Sequence, residues 1–249
     1  MFALLVTPAL HLAIITAMVA ILCKFKLVTL NPRWIRVSLS IFASYWLIKI
    51  TGIEVTLVKA LMPTLNWPWD AKLSLLLCSL LWLVGLMVFR PGFKASHAGF
   101  TFKQNPGSIK AMLIATGLLL VFRYYLTLVL GQSDGSRDPE ELLFLATMHA
   151  IDKEPLYRGI LLYTLSLAII SHKYVIFNAR INIAGILLVL LFALAHGFSY
   201  NNGQWFFFPV GLFITSLHGF VYLWMRQRTG SLVFPIIAHN AVLILNQVL

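Results

Sequence analysis

The chain has 249 residues, 60% of them hydrophobic and 11% charged, with a formal net charge of +11 and a mean hydropathy of +0.87. Such a composition excludes an ordinary soluble domain and predicts a polytopic membrane protein, with room for about eight spans of about 20 residues and none for a separate soluble domain. The basic excess does not imply nucleic acid, because Lys and Arg sit at the ends of apolar runs instead of forming a stripe or a tail.

In chain order the apolar runs predict transmembrane helices at 2–23, 37–53, 73–89, 111–131, 141–170, 180–200, 205–225 and 231–249. The expected fold class is therefore all-α, a single transmembrane bundle over residues 1–249. The first run lacks the basic stretch of a signal peptide and reads as a retained helix. Cys23 and Cys78 lie far apart in apolar runs and read as small buried hydrophobes. Lys49 interrupts the second run, and Glu54 to Trp69 reads as an amphipathic or re-entrant piece closed by NWPWD. The connector at 90–110 mixes turn signals with the alternating GFTFK and suits a short hairpin or an interfacial helix.

Counted in alternate connectors, twelve Lys and Arg fall on one side and four (Lys49, Lys59, Lys72 and Arg137) on the other. The positive-inside rule makes the first side cytoplasmic and places both termini outside for eight spans, together with the acidic connector QSDGSRDPEE. A multi-pass protein of a prokaryotic cell membrane is the expected localisation, with the lipid bilayer as its surroundings.

Arg123, Lys153 and Arg158 are the remaining basic residues and lie within spans. Arg123 reads as a snorkelling or structurally paired residue. The stretch IDKEPLYRG (151–159) places Asp152, Lys153, Glu154 and Arg158 at membrane depth, where ionisable groups are costly. Glu154 and Arg158 are four residues apart, share a helical face and can pair. That pair is either a structural lock between helices or a carboxylate held ionised as a base. His196 in FALAH and His239 in FPIIAHN follow on later spans. With Glu154 they make one acid and two imidazoles on three helices, a set able to bind and activate water.

EPLYRG, FALAH and GSLVFPIIAHN, in this order, resemble the three polar signatures of the CPBP family of intramembrane glutamic endopeptidases, which includes CAAX-type prenyl-protein proteases and bacteriocin-processing proteins. The resemblance covers about residues 140–245. It implies a hydrolase that needs no cofactor and acts on a membrane-anchored or lipid-associated protein or peptide near its terminus. By position, Glu154 and Arg158 match the second glutamate and the arginine of EExxxR, His196 the histidine of FxxxH, and His239 that of the last motif. The implied roles are water activation by Glu154, charge control by Arg158, water holding and proton shuttling by His196, and oxyanion stabilisation by His239 with Asn240 or Asn246. Two positions depart from the pattern: Lys153 stands where the family has its first glutamate, and Leu243 where it has its final asparagine. Asp152 is a candidate for the missing carboxylate, although it and Glu154 point about 200° apart on an ideal helix, so that a kink before Pro155 would be needed.

His149 and His218 are further intramembrane candidates, whose simpler reading is a hydrogen bond to a neighbouring helix. With Glu154, His196 and His239 they also offer a zinc set, a minor alternative because HExxH is absent. The rival from another class is a non-catalytic binder, a pseudoprotease or an immunity-type protein, favoured if Lys153 closes an ion pair on Glu154. A proton-linked transporter is the third alternative, weakened by the absence of repeat symmetry.

Overall fold

A computed structural model of the protein describes residues 2–130, 138–201 and 203–249. Arg137 and residues 132–137 of the acidic connector lie outside them. The described residues form α1 (Phe2–Lys24), α2 (Pro32–Thr51), α3 (Leu57–Leu61), α4 (Trp69–Phe89), α5 (Ile109–Leu130), α6 (Pro139–Thr147), α7 (Leu162–Ala168), α8 (Ile183–Gly197), α9 (Pro209–Thr229) and α10 (Val233–Val248). Three of these are long and apolar enough to cross a membrane: α4, and α1 and α5 over Leu5–Lys24 and Ile109–Val129. The remaining helices are shorter or more polar, so the expected count of eight equivalent spans is not reproduced. The fold is that of a mainly helical membrane protein.

It is not purely helical. Three antiparallel ribbons join helix ends: β1 (Val28–Leu30) with β2 (Ile169–Ser171), β3 (Lys173–Ile176) with β4 (Ala179–Asn182), and β5 (Phe198–Asn201) with β6 (Gln204–Phe207). The β3–β4 turn has Phe177 and Asn178 at φ 44° and 63°, the two positive values that a tight two-residue hairpin loop demands. Apolar ends such as QWFF, which extend a hydropathy run, are thus ribbon and not helix. The 90–110 connector forms one 3₁₀ turn at Ala95–Ala98 and no hairpin. The piece after Glu54 holds only the short α3, whose first turn is capped by Asp70: its carboxylate accepts from the Val58 and Lys59 amides at 2.7 and 2.9 Å.

The largest correction concerns 141–170, predicted as one span. It is broken between α6 and Pro155, then resumes as a π-helical segment, Pro155–Leu161, that runs into α7. Pro155 has no amide hydrogen and its ring crowds the carbonyl four residues before it, so a regular helix cannot pass through. The π-helical segment lies in the main core, where Leu156, Ile160 and Leu161 meet Ile41 and Phe42 of α2, Phe192 of α8 and Leu223 of α9. Around it, α8 packs along α9, α2 lies on α4 and α7, and α10 rests against α5, α6 and α9. The α8–α9 approach depends on Gly197, where an added Cβ would sit 2.4 Å from Leu212 Cβ.

Candidate active site

The break in the chain positions the polar residues. Released from the helical ladder, the Ala150 amide donates to Asn240 Oδ1 at 2.9 Å, while Asn240 Nδ2 donates to the Ala146 carbonyl at 2.8 Å. One α10 side chain therefore satisfies a carbonyl in the last turn of α6 and a buried amide within the break, neither of which has its helical partner. Its carbonyl oxygen and one of its two N–H donors are engaged in this way, so Asn240, expected as an oxyanion donor beside His239, also positions the backbone at the break.

Immediately after the break, Glu154 is fully buried and Asp152 almost so. Their surroundings differ. Asp152 turns towards α2 and α4, where Tyr45 Oη donates to Oδ2 at 2.9 Å and Lys72 Nζ donates to Oδ1 and Oδ2 at 3.0 and 3.1 Å. The kink leaves its carboxylate on Tyr45 and Lys72, apart from the partners of Glu154.

Glu154 turns towards α9 and α10. Its Oε1 accepts from Arg158 Nη1 at 3.2 Å and from His239 Nδ1 at 2.8 Å, whereas its Oε2 is buried without a hydrogen-bond partner. The expected Glu154–Arg158 pair is therefore present. The arginine is held in turn by the Gly219 carbonyl, 3.4 Å from Nη2, and by the Phe192 ring, whose centroid lies 4.3 Å from the guanidinium carbon. Gly219 permits this approach, since a Cβ there would lie 3.2 Å from Nη2. Tyr222 stacks on His239 at 4.9 Å and 13°, fixing the plane of the imidazole.

His239 forms part of the wall of a cavity of about 210 Å³ shared with His149, Lys153, His196, His218 and Asn246. Glu154 is not in that wall; it stands behind His239. Three histidines show their tautomers through their partners, because carbonyls and carboxylates only accept. The Nδ1–H groups of His196 and His218 donate to the carbonyls of Phe192 and Ile214 at 2.9 and 2.8 Å, one turn back on their own helices, and His239 Nδ1–H donates to Glu154. Each neutral imidazole then has Nε2 as an acceptor. For His218 this corrects the expected bond to a neighbouring helix.

Lys153 Nζ donates to His149 Nε2 at 2.9 Å and does not close an ion pair on Glu154, whose partners are Arg158 and His239. Asn246 lies in the wall with Oδ1 unpartnered. Arg123, expected to snorkel or make a structural pair, also lines the cavity. Among the described residues no group of three His, Cys, Asp or Glu side chains is gathered closely enough to hold a metal ion.

Sequence reasoning did not find Tyr45 and Lys72, the partners of Asp152. Neither carries a local signal, being 107 and 80 residues away from it in the chain. It also did not anticipate the aromatic packing of Tyr222 on His239.

Comparisons with curated proteins and with solved structures return no match. Residues 139–244 match the family model described as Rce1-like, type II CAAX prenyl endopeptidase Rce1-like. The match spans α6 to α10, the elements that supply Glu154, Arg158, His196 and His239, and agrees with the resemblance carried by the three motifs. Residues 139–244 are thus similar to the Rce1-like domain of type II CAAX prenyl endopeptidases, a family that generally comprises intramembrane peptidases.

Proposed function

We propose that the protein is a metal-independent intramembrane endopeptidase that cleaves a membrane-anchored or lipid-associated protein near its terminus, in a prokaryotic cell membrane that it crosses several times. The observation that carries this reading is the Glu154–His239 pair at 2.8 Å, with the imidazole forming the wall of the polar cavity and the carboxylate behind it.

The chemistry follows from the tautomers. A water in the cavity gives its proton to His239 Nε2 as its oxygen attacks the scissile carbonyl. Glu154, its charge balanced by Arg158, stabilises the imidazolium that forms, as the buried acid of a nucleophile–histidine–acid triad does. His196 Nε2 accepts the water's second hydrogen bond and holds the water for attack. Lys153, already donating one N–H to His149, has others to offer the oxyanion, and with the Asn246 amide it replaces the donors that the family draws from elsewhere. The proton on His239 then passes to the leaving amine, the C–N bond breaks, and a carboxylic acid and an amine are released. Glu154 thus acts through His239 instead of touching water, a revision of its expected role.

The cavity lies towards the ends of α5, α8 and α10 opposite their Lys- and Arg-rich ends, at Lys110, Arg180 and Arg228. Under the positive-inside rule it opens outward.

The presence of Lys153 at the first-glutamate position favours a second reading, a pseudoprotease that binds a peptide without cutting it. Comparative mass spectrometry of membrane-protein termini separates the two. The peptidase reading expects a terminus that appears with the wild-type chain and is missing with Glu154→Gln or His239→Ala at equal membrane abundance. The same termini in all three would leave only the binder.

A further inference from the structure

A second and larger cavity, about 760 Å³, follows the seam between α2 and α4, away from the polar cluster. Most of its wall is apolar, with Val37 and Ile48 from α2 and Leu77, Leu81 and Phe89 from α4. From Leu77 to Phe89 the helix rises about 18 Å, close to the ~15 Å half-thickness of a bilayer's hydrocarbon core. The seam therefore has the length of one acyl chain in one leaflet.

The two ends of the seam differ in charge. Arg33 and Arg90 stand at one end and Glu54 at the other. The Arg90 guanidinium carbon lies 4.5 Å from the Trp34 ring centroid and 5.0 Å from that of Tyr163, which fixes the group in place. Yet its Nη1 is buried with no hydrogen-bond acceptor. Among the described residues no carboxylate pairs with Arg33 or Arg90. A fixed, half-buried guanidinium with one buried nitrogen lacking an acceptor suits a phosphate, whose oxygens match its donors. Both arginines belong to the basic connectors, which the positive-inside rule places in the headgroup layer of the cytoplasmic leaflet. Glu54 opposes the reverse orientation, because a phosphate there would meet a like charge.

Gly85 adds an independent observation. It lines the seam in the body of α4, and a Cβ built on it meets nothing within 4 Å. Glycine weakens a helix interior relative to alanine, and unlike Gly197 this one permits no close helix approach. Its effect is to leave the seam open where a side chain would enter it.

The geometry points to a bound anionic phospholipid, one acyl chain lying in the α2–α4 seam and its phosphate on Arg33 and Arg90. This site is separate from the peptidase reading and its test needs no substrate. The protein is reconstituted in bilayer discs of phosphatidylglycerol or phosphatidylcholine, extracted in mild detergent, and the retained lipid is counted by native mass spectrometry. The wild type is expected to hold one phosphatidylglycerol and to prefer it over phosphatidylcholine about tenfold, as two interfacial arginines should confer. Arg33→Gln with Arg90→Gln should abolish the preference. Gly85→Phe and, as a second plug from the same wall, Leu81→Trp should remove the retained lipid while the melting temperature shows that the chain remains folded.

Equal retention of both lipids by the wild type would overturn the proposal, as would undiminished retention in a folded plug variant. So would stoichiometric displacement by an S-palmitoylated peptide, which would assign the seam to a substrate's chain instead.

Discussion

Asp152 and Glu154 are two residues apart and both buried, yet they belong to different parts of the molecule. Asp152 faces α2 and α4 with both oxygens occupied by Tyr45 and Lys72. Glu154 faces α9 and α10, shares one oxygen between Arg158 and His239, and has a partner imidazole that borders a cavity. Burial and charge do not distinguish the two carboxylates; what lies beyond the first partner does, and on that difference rests the proposed chemical role of Glu154. The Asp152 network ends in a closed ion pair, whereas the Glu154 network ends in a histidine nitrogen that a cavity can reach.

The comparison breaks most sharply at Glu154. Glu154→Gln should lower processing by about 10³-fold or more, since it removes the charge that stabilises the imidazolium, measured as product formed per folded molecule in membranes. His239→Ala should match it, and the double variant should be no worse than either single one, because the two act as a unit. A double-variant loss equal to the product of the single losses would separate them.

Asn240→Ala should act through the fold. It leaves the Ala150 amide buried without a partner, at about 1–3 kcal/mol, and takes the side-chain donor from the Ala146 carbonyl, so thermal stability should fall, with activity following the folded fraction. Asp152→Asn should cost less, about 1–3 kcal/mol, because Lys72 retains some access to solvent and a neutral acceptor. Its rate per folded molecule should stay near wild type. The smallest effect is expected for Tyr45→Phe, about 1 kcal/mol for one hydrogen bond, read by denaturation in detergent with no change in rate.

These two regions also divide what could be read from the chain. The Glu154–Arg158 pair is local, four residues along one helix, and was legible from spacing alone. His196 and His239 were legible because polar residues in otherwise apolar runs are rare. The break before Pro155 was signalled by the proline, but not the π-helical turn after it, which depends on packing against α2, α8 and α9. Asn240 had a visible address and a hidden role: its partners lie 94 and 90 residues away, at Ala146 and Ala150. The partners of Asp152 were hidden for the same reason, since only the folded chain brings Lys72 to it. The ribbons escaped because strands such as QWFF continue the hydropathy of the neighbouring helix, and three or four residues, as in KYVI, are too few for alternation to register.

The most direct test compares the two neighbouring carboxylates. Once a processed terminus is known, its rate of formation is measured for Glu154→Gln and Asp152→Asn in the same membranes, each normalised to folded protein. Loss of the product in the first with a near wild-type rate in the second is the predicted result. Survival of activity in Glu154→Gln, or a parallel fall in both, would contradict the assignment of hydrolysis to the Glu154–His239 pair.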